Sequence, residues 1–254
     1  MKISFVIPFH NENKNCLPMI ERVVSYGKKE KLNFEVIPVD DRSTDGTGEI
    51  LKKTVKKYKN VHPVYRKSDK VEKGNTMGKS LIAGTKAAKG EIIIWTMGDR
   101  SDDVETYGKM IKKIQKGYDI VFGSRYMPGG SRGNLDLLKA FLSSWGTRLA
   151  GLLFAVPVHD ITNAFRAFKK EVFDVIGLES VGFSISPEFA IKAQLSGFRL
   201  GEVPTIYTNR VEGVSSFKIY KMTKSYLFLY MKLFYDFRLR PQFSRVSKGA
   251  GSKS

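Results

Sequence analysis

Short runs rich in β-branched residues recur along the chain: KISFVIP, FEVIPVD, VHPVYR, EIIIWT and DIVFG. Between them lie stretches such as GTGEILKKTVKKYK and MGKSLIAGTKAAKG, whose apolar positions return at helical spacing. This alternation predicts successive βαβ units on a mainly parallel sheet, an α/β fold with helices on both faces. EIIIWT is apolar enough to be a buried central strand. In open sheets of this class ligands bind beyond the carboxyl ends of the strands. Those ends are polar here, reading FHNEN after the first strand, DDRSTDGT after the second, MGDRSDD after the fourth and SRYMPGG after the fifth.

Length and composition fit this picture: 254 residues at 42% hydrophobic content can bury a full core. The single cysteine, Cys16, excludes an internal disulfide framework and fits a reducing compartment, and MKISFVIPFHNEN has neither the apolar run nor the cleavage site of a secretion signal. Both features predict a cytoplasmic protein. His10, His62 and His159 are widely separated, which gives a zinc site little support. The formal net charge is +18, and the segment from Thr208 onward carries ten lysines and arginines against Glu212 and Asp236. Such an excess attracts phosphate, whether of a nucleic acid, an anionic membrane or a phosphorylated substrate. No recognised RNA- or DNA-binding motif accompanies it, so nucleic acid is the disfavoured partner.

Familiar nucleotide loops do not account for the polar strand ends. No G-x-G-x-x-G follows the first strand, and in KGNTMGKS the glycines Gly74 and Gly78 enclose three residues where a phosphate cradle needs four. Lys79 therefore either faces a phosphate or belongs to a tight helix start with packed glycines. The stretch TMGDRSDD is more informative, because it sets three acids at the end of a buried strand in a strongly basic chain. Asp102 and Asp103 are placed to cap the following helix, VETYGKMIKKIQK. Asp99 comes too early for that, and a carboxylate at a buried strand end needs a cation or donors to offset its desolvation. Oxygen ligands of this type suit Mg²⁺ or Mn²⁺ bridging a carboxylate to substrate phosphates.

Taken in order, VIPFHNE, VDDRSTDGT, MGKSLIAG, TMGDRSDD and FGSRY resemble the strand-end motifs of glycosyltransferase family 2, inverting enzymes with a GT-A fold. Further on, TNAFRAFKKEVF, GFSISPEFAIKAQLSGFRLGEVPT and NRVEGVSSFK resemble its dolichyl-phosphate mannosyltransferase branch and the polyprenyl-phosphate relatives. The resemblance implies a GT-A catalytic domain over residues 1–220, followed by a basic, aromatic tail at 221–254. It implies that Pro8, Phe9 and Glu12 hold the base and ribose, that Asp40 binds the nucleoside, and that Pro38 lines the same pocket. The D-x-D motif of the family stands here as Met97, Gly98, Asp99, which leaves Asp99 as the metal ligand; Ser101 falls at a diphosphate or metal contact. Arg125 and Arg210 match arginines that contact the phosphates of the sugar nucleotide or of the acceptor, and Lys139 matches a further basic residue.

The implied reaction transfers a sugar from a nucleotide diphosphate sugar to a second substrate, with metal and arginines stabilising the leaving group. A polyprenyl phosphate acceptor arrives ionised and needs no strong base; a hydroxyl acceptor, the alternative, needs a carboxylate such as Glu188 to take its proton. Glu188 is equally placed as an ordinary acid of a helix N-terminus. A non-enzymatic phosphate binder accounts for the charge but not for the acids. SYLFLYMKLFYDF, residues 225–237, is too short to span a bilayer. With Lys221, Lys224, Lys232, Arg238 and Arg240 around it, it either lies in an anionic interface through Phe228, Tyr230, Leu233 and Phe234 or packs as a closing core helix. The first choice makes the protein peripheral on the inner face of a membrane. The apolar stretch near Leu149 to Val156 is also too short to span, and Arg148 borders it.

Overall fold

The computed structural model describes residues 1–67, 74–208 and 219–239. In chain order the elements are β1 (Ile3–Phe9), α1 (Asn13–Lys29), β2 (Phe34–Asp40), α2 (Thr47–Lys57), β3 (Val64–Tyr65), α3 (Met77–Ala87), β4 (Ile92–Trp95), α4 (Glu105–Gln115) and β5 (Ile120–Ser124). They continue with α5 (Leu137–Phe154), β6 (Arg166–Lys169), α6 (Lys170–Ile176), α7 (Ile185–Leu195), β7 (Leu200–Pro204) and α8 (Ile219–Phe234), which ends in a π-helical turn, Tyr235–Leu239. All five predicted strands are present. The sheet order is β3-β2-β1-β4-β6-β5-β7. Every pairing is parallel except those of β6, which runs antiparallel between β4 and β5.

Strand parity distributes the core into two layers. Ile3, Phe5, Ile7 and Phe9 of β1 face α1, α2 and α4 with Val36, Ile92 and Ile94, whereas Val6, Ile37, Val39, Ile93 and Trp95 face α3, α5, α7 and α8. α3 lies close to the sheet because a Cβ at Gly84 would stand 2.5 Å from a Val6 methyl. The buried indole of Trp95 is satisfied by the Thr85 hydroxyl at 2.8 Å and packs on Phe168 and Phe189.

The carboxyl ends of β1, β2, β4, β5 and β7, and the start of antiparallel β6, lie on one edge of the sheet. All the polar strand-end segments therefore converge there.

α8 corrects the expected boundary at residue 220. It begins at Ile219, and Tyr226, Leu229, Tyr230 and Leu233 are buried against the domain. The Tyr230 hydroxyl donates to Gly146 O of α5 at 3.0 Å, and its ring meets Phe154. Tyr230 and Leu233 therefore belong to the core and are unavailable to a membrane. The outward face of α8 is Tyr220, Leu227, Phe228, Met231 and, partly, Phe234. Among the described residues no helix is long and apolar enough to cross a bilayer.

Candidate functional site

The loops after β1 and β2 are knitted together. Asn11 accepts Thr44 N–H at 2.8 Å, Asn13 N–H donates to Asp45 at 2.9 Å, and Glu12 N–H donates to the Thr47 hydroxyl at 3.0 Å. These contacts hold Glu12 at the head of α1, where Asn15 donates to its carboxylate at 2.6 Å and in turn accepts Arg100 Nε at 3.1 Å. Glu12 is thus relayed to the residue following Asp99.

Asp40 ends β2 with one carboxylate oxygen accepting Ser43 N–H at 3.1 Å. Pro38 is buried two residues earlier in the same strand, paired with Ile7. The neighbour of Asp40 plays a larger structural part than a turn former: buried Asp41 takes Arg42, Arg66 and the Thr76 hydroxyl, the last at 2.6 Å. This ion cluster joins the end of β2, the segment after β3 and the start of α3.

Phe9 does not present its ring to a ligand. It is 1% exposed, and a Cβ on Gly98 would stand 2.6 Å from its ring, so the Phe9 ring lies under the β4 loop. Parity gives the reason, because Phe9 shares the inward face with Ile3, Phe5 and Ile7. The next residue, His10, is exposed, and its Nδ1–H donates to Asp41 O at 2.6 Å. Pro8 is half-buried beside them.

The three acids of TMGDRSDD have three fates. Asp103 caps α4, accepting Glu105 N–H at 3.1 Å and the Thr106 hydroxyl at 2.8 Å. Asp102 does not cap; it is 3% exposed and accepts Met97 N–H at 2.8 Å and the Thr96 hydroxyl at 3.0 Å, which shapes the loop from inside. Burial pushes its carboxyl up to about 7, with the Asp99 charge adding to the rise. Asp99 is partly exposed and accepts Ser101 N–H and its hydroxyl, the latter at 2.7 Å. Met97 packs against the core and offers no hard ligand.

Among the described residues there is no group of three or more His, Cys, Asp or Glu side chains able to hold a metal. The donor set fits a hard divalent cation held chiefly by substrate: one partly exposed carboxylate, Asp99, with the Ser101 hydroxyl beside it. Mg²⁺ and Mn²⁺ are commonly bound in this way, through one or two carboxylates plus phosphates.

Arg125, at the end of β5, is committed to a partner. Its Nε and Nη2 grip the fully buried Asp160 at 2.7 and 3.1 Å, and Nη2 also reaches the Thr162 hydroxyl at 3.1 Å. Burial alone would lower its basicity, but the Asp160 charge outweighs this and holds the guanidinium firmly protonated. Asp160 is presented by a loop that buried Arg166 fastens, donating to Ile161 O, Asn163 O, Ala164 O and Ser186 O. The Arg166 guanidinium lies among Trp95, Phe122 and Phe189, and burial pushes it down to about 9. Neither Asp160 nor Arg166 stands out by composition; the signal in the sequence is that Arg166 lies within TNAFRAF and Asp160 two residues before it.

Lys79 and Glu188 serve one loop. A Cβ at Gly78 would stand 2.3 Å from Ser180 O, and Lys79 N–H donates to Val181 O at 3.1 Å. This is the tight helix start with a packed glycine. Glu188 is 2% exposed, its carboxylate accepts the N–H groups of Glu179 and Ser180 at 3.0 and 2.8 Å, and it pairs with Lys192 at 2.7 Å. It secures the segment that covers Gly78, rather than facing the crevice as a base. Lys139 sits in the first turn of α5, its N–H capped by Asp136. Arg210 lies outside the described residues. Thr208, two residues before it, is docked on the Asp99 loop through N–H and hydroxyl contacts to Ser101 O at 3.0 and 3.2 Å.

Residues 4–177 match the family model described as Glycosyl transferase family 2. The chain is 32% identical over 221 residues to a dolichol-phosphate mannosyltransferase of Pyrococcus furiosus, covering 86% of this chain and 60% of that protein. It is 30% identical over 217 residues to a polyprenol monophosphomannose synthase of Mycolicibacterium smegmatis, covering 83% and 78%. Among solved structures it superposes on glucosyl-3-phosphoglycerate synthase from Mycobacterium tuberculosis in complex with Mn²⁺, UDP and phosphoglyceric acid. The TM-score is 0.64 at 16% identity, covering 92% of this chain and 78% of that one. It also superposes on TarS 1-349 of S. aureus in complex with UDP-GlcNAc, with a TM-score of 0.61 at 18% identity, covering 91% and 65%. The fold is therefore the GT-A fold.

Proposed function

Because the chain belongs to glycosyl transferase family 2, we propose that it moves a sugar, with inversion, from a nucleotide diphosphate sugar to a polyprenyl phosphate at the surface of a membrane. The observation that carries this reading is the convergence of Glu12, Asp40, Asp99 and the Arg125–Asp160 pair on one edge of the sheet. The knitted loops after β1 and β2 hold the nucleoside, with Asp40, Glu12 and the exposed His10 as its neighbours. Asp99, with Ser101, would hold Mg²⁺ or Mn²⁺, which would supply Lewis-acid stabilisation of the departing diphosphate. Arg125 is kept charged and fixed by Asp160, so its field is preorganised where phosphate charge must be received. Thr208 is held on the Asp99 loop, and Arg210, two residues further along the chain, is the second arginine assigned to phosphate contact.

The state of Glu188 supports a phosphate acceptor over a hydroxyl one. A hydroxyl nucleophile needs a base, and the expected base is buried on backbone amides; a phosphate acceptor is already ionised near neutral pH. The names of the two curated relatives point the same way. The outward residues of α8, flanked by exposed Lys221 and Lys224, suit contact with an anionic leaflet on the inner face of a membrane.

Donor cleavage across a panel of nucleotide sugars, with and without Mn²⁺, tests the reading. One sugar nucleotide should be turned over with metal dependence, and Asp99→Ala should lower turnover by at least about 10²-fold, the scale of losing a principal electrostatic group. Undiminished turnover in a folded Asp99→Ala protein would remove the metal assignment.

A further inference from the structure

The loop after β4 is gripped from two sides at Arg100. Its backbone is left-handed, with a φ of 64°, a region that non-glycine residues rarely adopt and that persists only where neighbours hold it. From α1, Arg22 Nη1 donates to Arg100 O at 3.1 Å, and Arg100 Nε donates to Asn15 Oδ1 at 3.1 Å. From the segment after β7, Thr208 donates to Ser101 O through its N–H at 3.0 Å and its hydroxyl at 3.2 Å. Arg100 is therefore clamped between Asp99 and Ser101, the two residues assigned to the cation.

Asn15 extends this clamp to the nucleoside side. It is buried in the first turn of α1, and its amide is used at both ends: the NH₂ donates to the Glu12 carboxylate at 2.6 Å, and the carbonyl oxygen accepts Arg100 Nε. A carboxylate on one side and a guanidinium on the other leave the amide a single orientation. The result is a charge-assisted chain, Glu12–Asn15–Arg100, that runs from the loop after β1 to the loop after β4.

Position matters more here than in a site with several acids. Met97 packs against the core, so a cation between protein and diphosphate meets one carboxylate, and the backbone on which Asp99 stands sets its direction. We propose that Arg100 and Asn15 are positioning residues. They fix Asp99 and Ser101 for the cation and tie that placement to Glu12 in the nucleoside pocket. This role rests on the transferase reading and adds to it two residues that act through Asp99.

Mn²⁺ binding, read from the loss of the free-ion paramagnetic resonance signal, tests this on the full chain with GDP and with UDP as probes. Arg100→Gly is the informative variant, because glycine takes the left-handed backbone without strain and only the guanidinium is removed. It should weaken Mn²⁺ binding by about ten- to a hundredfold, the scale of losing an outer partner of a metal ligand. The kcat for donor cleavage should fall with it, while donor KM at saturating Mn²⁺ stays within about threefold of native. The urea midpoint should stay at the native value, since relief of the backbone offsets the lost hydrogen bond. Arg100→Lys, which restores a donor, should recover part of the loss. Asn15→Leu should reproduce the Mn²⁺ defect, and the double variant should be no weaker than the worse single one, as for two members of one chain.

Native Mn²⁺ affinity and native kcat in Arg100→Gly would overturn the proposal, as would additive losses in the double variant. A Mn²⁺ defect that tracks a fall in the urea midpoint and that Arg100→Lys does not relieve would also overturn it, making both residues scaffold. Should Asn15→Leu fail to fold, the two Arg100 variants decide the matter alone. A native protein that binds no Mn²⁺ with either nucleotide would remove the metal reading itself and this role with it, an outcome distinct from native binding that the variants share.

Discussion

At the scale of single residues, Asp102 illustrates how a carboxylate can serve a site without facing it. It is buried, it shapes the Asp99 loop through Thr96 and Met97, and burial pushes its carboxyl up to about 7. The folded protein therefore retains a proton that the unfolded chain releases near the ordinary carboxylate value of 3.8. Stability from this group is full below that value and declines as pH rises toward about 7. With divalent cations absent, the urea midpoint of the native protein should fall between about pH 5 and about pH 7.5, and Asp102→Asn should flatten this dependence. A variant whose pH profile matches the native one would show that Asp102 does not titrate in this window. Cys16 supplies a second residue-scale expectation: burial pushes its thiol up to about 12, so a thiol reagent should label it only on unfolding. Rapid labelling of native protein would contradict its buried placement. Asp99 could be singled out as a metal-ligand candidate from the sequence because it precedes the capping position. The burial of Phe9 could not be read from its motif; it follows from the inward parity it shares with Ile3, Phe5 and Ile7, which leaves the next residue, His10, exposed.

At the scale of elements, the five strands that can be read from β-branched runs are those whose composition alone makes them strands. β6 and β7 could not be read this way: RAFK and LGEVP carry no alternating pattern, and β6 owes its place to pairing with β4 and β5 from distant parts of the chain. α7 offers the sharpest element-level expectation. Glu188 joins its first turn to the 179–181 backbone and to Lys192, and that segment covers Gly78 at the start of α3. Glu188→Gln should destabilise the protein by about 1–3 kcal/mol, the cost of leaving a buried donor or charge partly unmatched, while kcat stays within about tenfold of native. A loss of several orders of magnitude in kcat with unchanged stability would restore Glu188 as a base and favour the hydroxyl acceptor. Asp160→Asn acts oppositely, because it loosens Arg125. It should lower kcat as well as stability, by about 3–5 kcal/mol for a broken buried pair in the latter; unchanged kcat in the folded variant would separate Arg125 from the reaction.

At the scale of the whole molecule, a basic GT-A domain brings Glu12, Asp40, Asp99 and Asp160 to one sheet edge and exposes large apolar side chains along α5 and α8. The edge was legible because parallel topology fixes where strand ends meet. The packing of α8 was not, because its burial stripe, Tyr226, Leu229, Tyr230 and Leu233, is interleaved with outward Leu227, Phe228 and Met231, so that both faces are apolar. The measurement that bears most directly on the proposed reaction follows the sugar itself. Labelled nucleotide diphosphate sugars are incubated with the protein, Mn²⁺ and a polyprenyl phosphate in detergent micelles, and both the organic phase and the released nucleotide are analysed. The expected result is label passing into a solvent-extractable lipid, with one nucleoside diphosphate released for each sugar transferred. Label passing instead to a water-soluble hydroxyl acceptor, or release of a nucleoside monophosphate with sugar phosphate, would contradict transfer to a lipid phosphate.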